Sequence, residues 1–296
     1  LVQFITRSDE RAGIEVHHFD PAMASSDDIR LLRHHIYTDK IVTLKAQDLK
    51  PAAFVELGHH FGTPVSYYEP MYHHPENGLI FVSSNLTRPQ GPIGVPRTGG
   101  FWHADYQFMP QPFAFTLFYP QKLPAGTRGT RFINMARAYE RLTPRLKEAI
   151  ADTFSKHSAR RYVKIRPSDV HRPIGEVQAE IERVTPPQTW PTVLVHPVTR
   201  ERILYISEAF TYAIEDSQGT ALPTSLLYEL LDSSGQLDES YEHPNIFVQT
   251  YESGDLVLWD NRSLIHRALH NPTNEPTESY RVTVTDEYPL GAEVAA

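Results

Sequence analysis

A mainly β chain with surrounding helices, built on a jelly-roll-like barrel, is the fold class this sequence predicts. Three observations lead there. Segments rich in Val, Ile, Phe, Tyr and Thr recur at strand length through most of the chain. Helical periodicity is confined to four stretches, two of them ahead of the first strand candidate. A hydrophobic fraction of 40% with 11% aromatics supplies a sizeable core, yet no apolar run approaches the roughly 18 residues that cross a bilayer.

The elements follow in chain order. Ser26–Tyr37 reads as a helix with an N-cap serine and Ile29, Leu32 and Ile36 on one face. Pro51–Phe61 opens with Pro in the first turn and stops at Gly62. Strands are expected at Leu79–Ser83, Phe113–Tyr119 and Arg131–Met135. A third helix is expected over Thr143–His157, started by Thr-Pro, with Leu146, Ala149, Ile150 and Phe154 on its apolar face. Strands Thr192–His196 and Arg202–Ile206, a helix over Pro223–Leu231, and strands Ile246–Glu252, Asp255–Trp259 and Tyr280–Tyr288 complete the set. Ser84–Thr98, Thr185–Pro191 and Asn271–Thr277 are broken by prolines and read as loops inside one domain, residues 1–296.

Composition excludes several classes. Lys and Arg number 28 against 36 Asp and Glu, a net charge of −8, which argues against nucleic-acid or anionic-membrane partners. The absence of cysteine excludes a disulfide scaffold, a thiolate nucleophile, an iron–sulfur cluster and a zinc–thiolate site. The first residues, LVQFITRSDER, do not resemble a secretory leader, so a cytoplasmic protein is expected. Fifteen histidines direct attention to metal or proton chemistry.

Iron(II) held for oxygen chemistry requires two imidazoles and one carboxylate on one face, with other positions open. Residues at i and i+2 on a strand point the same way, so His-x-Asp supplies two ligands from one element. About one such match is expected by chance in a chain of this composition, and two occur: His18-Phe-Asp20 and His103-Ala-Asp105. Asp20 precedes Pro21 and reads as a turn residue, and the weaker His74-Pro-Glu76 sits in a Pro/Asn/Gly stretch. His103 lies among aromatic residues, in Gly-Gly-Phe-Trp-His-Ala-Asp-Tyr-Gln-Phe. A third ligand must come from a distant strand.

The stretch Trp259-Asp260-Asn261-Arg262-x-x-x-His266, followed by Arg281 in Ser-Tyr-Arg-Val-Thr-Val-Thr, completes a pattern with Trp-His-x-Asp and Gly129-Thr130. In this combination, from about residue 100 to 285, the sequence resembles the taurine/2,4-D dioxygenase-like family of iron(II)- and 2-oxoglutarate-dependent oxygenases. The resemblance implies a double-stranded β-helix (jelly-roll) core. It also implies an Fe(II) triad of His103, Asp105 and His266, and 2-oxoglutarate binding by Thr130 and Arg281 with Arg128 beside them, with dioxygen as co-reactant. Asp105 occupies the carboxylate position that halogenating relatives lack. The residues agree at the anion site: Tyr280, Val282 and Val284 alternate with Arg281, Thr283 and Thr285, and an Arg on an interior face needs an anionic partner.

A narrower resemblance concerns the substrate. Tyr67, Tyr68 and Tyr72, Arg128 beside the Gly-Thr pair, and Lys164-Ile-Arg166 resemble the substrate region of isonitrile-forming oxygenase/decarboxylases. These relatives convert a 3-[(carboxymethyl)amino] fatty acid to a 3-isocyano fatty acid. On a strand, Lys164 and Arg166 would face one side and hold one carboxylate, with tyrosine hydroxyls on the other and His270 as a further contact. Three alternatives remain: the same cofactor chemistry on another small acid (a sulfonate, an aryloxyacetate or an amino acid), a zinc hydrolase using the same ligands, and a noncatalytic small-molecule-binding barrel.

Overall fold

The structure, a computed structural model, describes residues 2–6, 13–89, 91–126, 128–160, 162–270 and 275–290. Its centre is a pair of facing sheets. The larger runs Gln3–Thr6, Ile14–His17, Ile41–Leu44, Leu256–Asp260, Phe115–Lys122, Glu278–Thr285, Asn77–Ser84 and His73–His74, with Thr63–Pro64 paired to Glu278–Thr285. The smaller places Gly129–Asn134 between Ile246–Thr250 and Leu264–Leu269.

Side-chain alternation explains why the large sheet is buried on both faces. Leu256 and Leu258 pack outward with Val282 and Val284 onto helices Ser26–Asp39 and Pro51–Phe61, through Leu32, Ile36, Phe54 and Phe61. Val257 and Trp259 point inward and meet Phe132 and Leu264 from the smaller sheet and Tyr251 just beyond it. Arg281 and Thr283 share that inward face, as the alternation predicts. The helix over Pro51–Phe61 comes close because it carries glycine where it crosses: a Cβ on Gly58 would lie 2.8 Å from the Val282 side chain. Ser25, whose hydroxyl accepts from the Asp28 amide while Asp28 reaches back, starts the first helix.

The chain between the sheets forms a second hydrophobic cluster. It gathers the helices Met135–Arg141, Pro144–Ala149 and Thr224–Ser234, the hairpin Val193–Val195/Arg202–Leu204, and Trp102. Two expectations change here. The helix over Thr143–His157 is only Pro144–Ala149, and Phe154–His157 is a strand between Gln188–Pro191 and Thr211–Glu215. The period switches to two: Phe154 is exposed while Ser155 and His157 are buried. The supposed loop Thr185–Pro191 accordingly contributes its second half as that strand's partner. The strand expected to reach Met135 stops at Asn134, whose side chain accepts from the Ala136 and Arg137 amides and caps Met135–Arg141. That helix and Ile174–Val184 have no counterpart among the sequence expectations. Pro223–Leu231 extends to Ser234 and ends at Gly235, which has φ of 93°. Of the loop expected over Asn271–Thr277, residues 271–274 lie outside the described residues.

Candidate active site

His103 and His266 are brought together by the backbone. The His103 amide donates to the His266 carbonyl at 3.1 Å and the His266 amide returns a bond to the His103 carbonyl at 2.8 Å. This single antiparallel bridge joins the 100–105 segment to strand Leu264–Leu269, and it sets the imidazole centroids 4.1 Å apart. His103-Ala-Asp105 is therefore not a regular strand, contrary to the expectation. The chain turns at Tyr106, at φ of 62°, yet the His103 and Asp105 side chains still face the same space.

Asp105 Oδ1 lies 3.8 Å from His103 Nε2, and Asp105 Oδ2 lies 3.9 Å from His266 Nε2. One donor atom from each residue falls within 4.8 Å of the others, and all three side chains are buried. These separations are too long for direct hydrogen bonds and of the order expected for ligands sharing one ion with bonds of roughly 2.0–2.2 Å. The donor set suits iron(II): two nitrogens and one oxygen, no sulfur. His103 Nδ1 donates to the Phe101 carbonyl at 2.8 Å, which turns the Nε2 lone pair to the cluster. Burial holds both imidazoles below their usual pKa, His266 furthest because His103 adjoins it, so they stand neutral with lone pairs available.

The carboxylate is held from behind. Thr116 Oγ1 donates to Asp105 Oδ2 at 2.6 Å, Asn261 Nδ2 to Thr116 Oγ1 at 2.7 Å, and Trp259 Nε1 to Asn261 Oδ1 at 3.0 Å. Arg281 Nη1 donates to Asp105 Oδ1 at 2.5 Å. Burial alone would raise the Asp105 pKa; Arg281 chiefly outweighs it, and the carboxyl stays below its usual range.

One cavity of about 290 Å³ holds this cluster together with Thr130, Arg128 and Arg281, the residues expected to bind 2-oxoglutarate. Arg281 lies over the Phe81 ring at 4.0 Å, and its buried Nε has no hydrogen-bond partner among the described residues. Arg128 is similar: among the described residues Nη1 is buried without a partner and Nη2 makes a single 3.4 Å contact, with Ser279 Oγ, and burial lowers its pKa. Two guanidinium groups with unspent donors suit a dicarboxylate. Thr130 accepts from the Tyr251 hydroxyl at 2.5 Å.

The expected substrate residues divide. Tyr67, Tyr72, Lys164 and His270 line the same cavity. Tyr68 does not; its ring packs on Tyr67 and Phe108 behind the wall. Arg166 is a correction. The 163–166 segment is not a strand, and Pro167 begins a 3₁₀ turn whose Asp169 takes the guanidinium in two bonds of 2.9 Å, while Glu180 takes a third at 2.8 Å. With its charge answered there, Arg166 does not share a face with Lys164, whose ammonium donates to the Pro96 and Arg97 carbonyls at 2.8 and 3.1 Å. The discarded pairs behave as expected: Asp20 accepts from the Ala22 amide, and His74 from the Glu76 amide. Tyr162, Tyr251, Thr116 and Asn261 were not singled out in the sequence. They are lone residues without a diagnostic spacing, although Asn261 lies inside the Trp-Asp-Asn-Arg stretch.

The family model described as "Taurine catabolism dioxygenase TauD, TfdA family" matches residues 6–283, and the chain belongs to that family. An alpha-ketoglutarate-dependent sulfonate dioxygenase of Saccharomyces cerevisiae is 25% identical over 92% of this chain, which spans 63% of that relative's length. An alpha-ketoglutarate-dependent sulfate ester dioxygenase of Pseudomonas putida is 25% identical, covering 93% of this chain and 84% of its own. A taurine dioxygenase crystal structure from Burkholderia xenovorans shares the fold, with a TM-score of 0.73 and 22% identity over 98% of this chain and 91% of that one. The jelly-roll core expected from the sequence is thus found. Among the described residues, no helix is long and apolar enough to cross a membrane.

Proposed function

We propose that the chain, taken as one domain over residues 1–296, is an iron(II)- and 2-oxoglutarate-dependent oxygenase acting on a small organic acid. More narrowly, its reaction is oxidative decarboxylation of a 3-[(carboxymethyl)amino] fatty acid to the 3-isocyano fatty acid. The observation that carries the first statement is the buried convergence of His103, Asp105 and His266 in a cavity also lined by Arg281 and Arg128. When bound, the ferrous ion with 2-oxoglutarate and dioxygen supplies the oxidising chemistry. The protein's own residues do the rest. His103, Asp105 and His266 are the ligands; Thr116 and Asn261 fix the carboxylate; Thr130 and Arg281 receive the cosubstrate's distal carboxylate.

The narrower reading rests on a second polar wall of the cavity, apart from the Arg281 assigned to the cosubstrate. Lys164, Arg97 and His270 line that wall together; burial chiefly lowers the pKa of Lys164 and His270, Arg97 adding to the first and Arg128 and Arg97 to the second. Crowded like charges are relieved by an anion between them. A substrate with two carboxylates joined through a secondary amine places its outer carboxylate at this wall and brings the methylene between nitrogen and the inner carboxylate to the metal. Tyr67 and Tyr72 add aromatic walls. The conversion removes four hydrogens and carbon dioxide, which corresponds to two successive two-electron turnovers.

The relatives favour a second reading, hydroxylation of a sulfonate, sulfate ester or aryloxyacetate. One experiment separates the two. The protein is loaded anaerobically with Fe(II) and 2-oxoglutarate, given each acid in turn, exposed to oxygen, and the products are weighed by mass spectrometry. The isonitrile mass from the carboxymethylamino acid supports the narrow reading. Oxygen insertion into a sulfonate, sulfate ester or aryloxyacetate alone replaces it.

A further inference from the structure

The wall segment that carries Lys164 also carries Tyr162. A turn at Ala159, whose carbonyl accepts from the Tyr162 and Val163 amides at 2.9 and 3.2 Å, sets the direction of this stretch. Tyr162 and Lys164, two residues apart, both line the cavity, while Ile165 is exposed to solvent and Arg166 is bound to Asp169. The polar pair this segment offers the cavity is therefore Tyr162 with Lys164.

The Tyr162 ring is fixed between two neighbours, 5.0 Å from the His103 imidazole and 5.3 Å from the Phe210 ring. Its hydroxyl lies 3.5 Å from His103 Nε2. That nitrogen is the one His103 offers to a metal, because Nδ1 is committed to the Phe101 carbonyl. A lone pair given to a cation cannot also accept a phenol proton. Occupation of the ligand cluster therefore frees the Tyr162 hydroxyl proton, while the phenol oxygen keeps its contact with the Gly99 backbone and the packed ring stays beside the His103 ligand atom. A half-buried donor in that position calls for an acceptor within the cavity.

We infer that Tyr162 is a substrate-positioning residue, whose hydroxyl donates a hydrogen bond to a carboxylate oxygen of the substrate lying on the His103 side of the metal centre. The inference rests on the proposal that His103, Asp105 and His266 hold the metal. It deepens that proposal by assigning the partner of the substrate's inner carboxylate. Lys164, on the same segment, faces the outer part of the cavity, so the two residues align an acid along one wall.

The test compares Tyr162→Phe with the wild type as Fe(II)-loaded protein. The acid is the carboxymethylamino acid, or the sulfonate, sulfate ester or aryloxyacetate if the wild type turns that over instead. Anaerobic Fe(II) and 2-oxoglutarate affinities should match the wild type. KM for the acid should rise about ten- to a hundredfold, the usual weight of a hydrogen bond to a charged group. Succinate should exceed product, because a loosely held substrate uncouples the two. Wild-type KM and coupling in Tyr162→Phe would overturn the inference, as would an equal loss of Fe(II) affinity, which would make the residue a support for His103. His103→Ala distinguishes the failures. If that variant still binds Fe(II), the metal-centre proposal falls; if it does not while Tyr162→Phe behaves as wild type, only the role of Tyr162 falls.

Discussion

Two buried clusters in this molecule contain the same kinds of side chain, an imidazole, an aspartate and an arginine, and they differ in how far their bonds are spent. In the first, His196 Nε2 donates to Asp260 Oδ2 at 3.0 Å, and His196 Nδ1 accepts from the Val198 and Thr199 amides at 3.1 and 3.0 Å. Asp260 also accepts from Ser263 Oγ at 2.5 Å and the Arg262 amide at 2.9 Å, and Arg262 clasps Asp286 at 2.8 and 2.7 Å. In the second, the Asp105 carboxylate, bonded to Thr116 and Arg281, lies 3.8 and 3.9 Å from the two imidazole nitrogens it faces, and among the described residues His266 Nδ1 and Arg281 Nε are buried without partners. The first cluster is closed apart from Arg262 Nε, which is buried without a partner among the described residues. The second keeps its donors converging on a shared point beside a cavity. Burial of charge is common to both, so burial alone does not mark the functional one; unfilled valence directed at one place does.

Substitutions should separate the two clusters. His266→Ala is expected to reduce 2-oxoglutarate decarboxylation to background while cooperative unfolding is retained; steady-state assays and thermal melts check both. Asp260→Ala should act in the opposite sense. It leaves His196 Nε2, the Ser263 hydroxyl and the Arg262 amide without their acceptor and should cost about 3 kcal/mol or more of stability in urea unfolding, with Fe(II) stoichiometry unchanged in the folded fraction. Thr116→Val removes the hydroxyl behind Asp105 and should weaken Fe(II) binding roughly 10- to 100-fold by anaerobic calorimetry.

A pH experiment sharpens the contrast on a third histidine. Burial pushes His157 down to about 3, and its nearest polar partner is the Thr211 hydroxyl at 3.2 Å. The folded pKa lies below the unfolded value of about 6.5, so the unfolded chain binds the extra proton first. Full stability is present above about pH 6.5 and is lost as pH falls toward the folded value, at up to about 1.4 kcal/mol per unit. Urea midpoints at pH 7 and pH 5 should converge in His157→Leu relative to the wild type. The smallest effects concern the cavity wall: Lys164→Ala should raise KM for the acid about tenfold, the weight of a charge-assisted contact, and Arg166→Ala should change it by no more than about twofold.

Much of the fold is legible in the sequence because it depends on period. Alternation on Glu278–Thr285 identifies which side chains face inward, and Pro51 and Gly62 mark a helix at its observed limits. The convergence of His103 and Asp105 with His266 is legible because a short spacing and a distant strand motif occur together. The remainder depends on competition that spacing does not reveal. Phe154 continues an apolar helical stripe, yet pairing with two strands outweighs it. Lys164 and Arg166 share a parity, but Asp169, three residues on, captures the second of them. Tyr162 reaches His103 only through tertiary packing, and no pattern in the chain announces it.

Anaerobic titration with Fe(II) tests the central claim most directly. The wild-type chain should bind one equivalent, and His103→Ala and His266→Ala should bind none at the same concentrations while keeping the wild-type circular dichroism spectrum. One-equivalent binding of wild-type affinity in either variant would contradict the assignment of these side chains as the ligands.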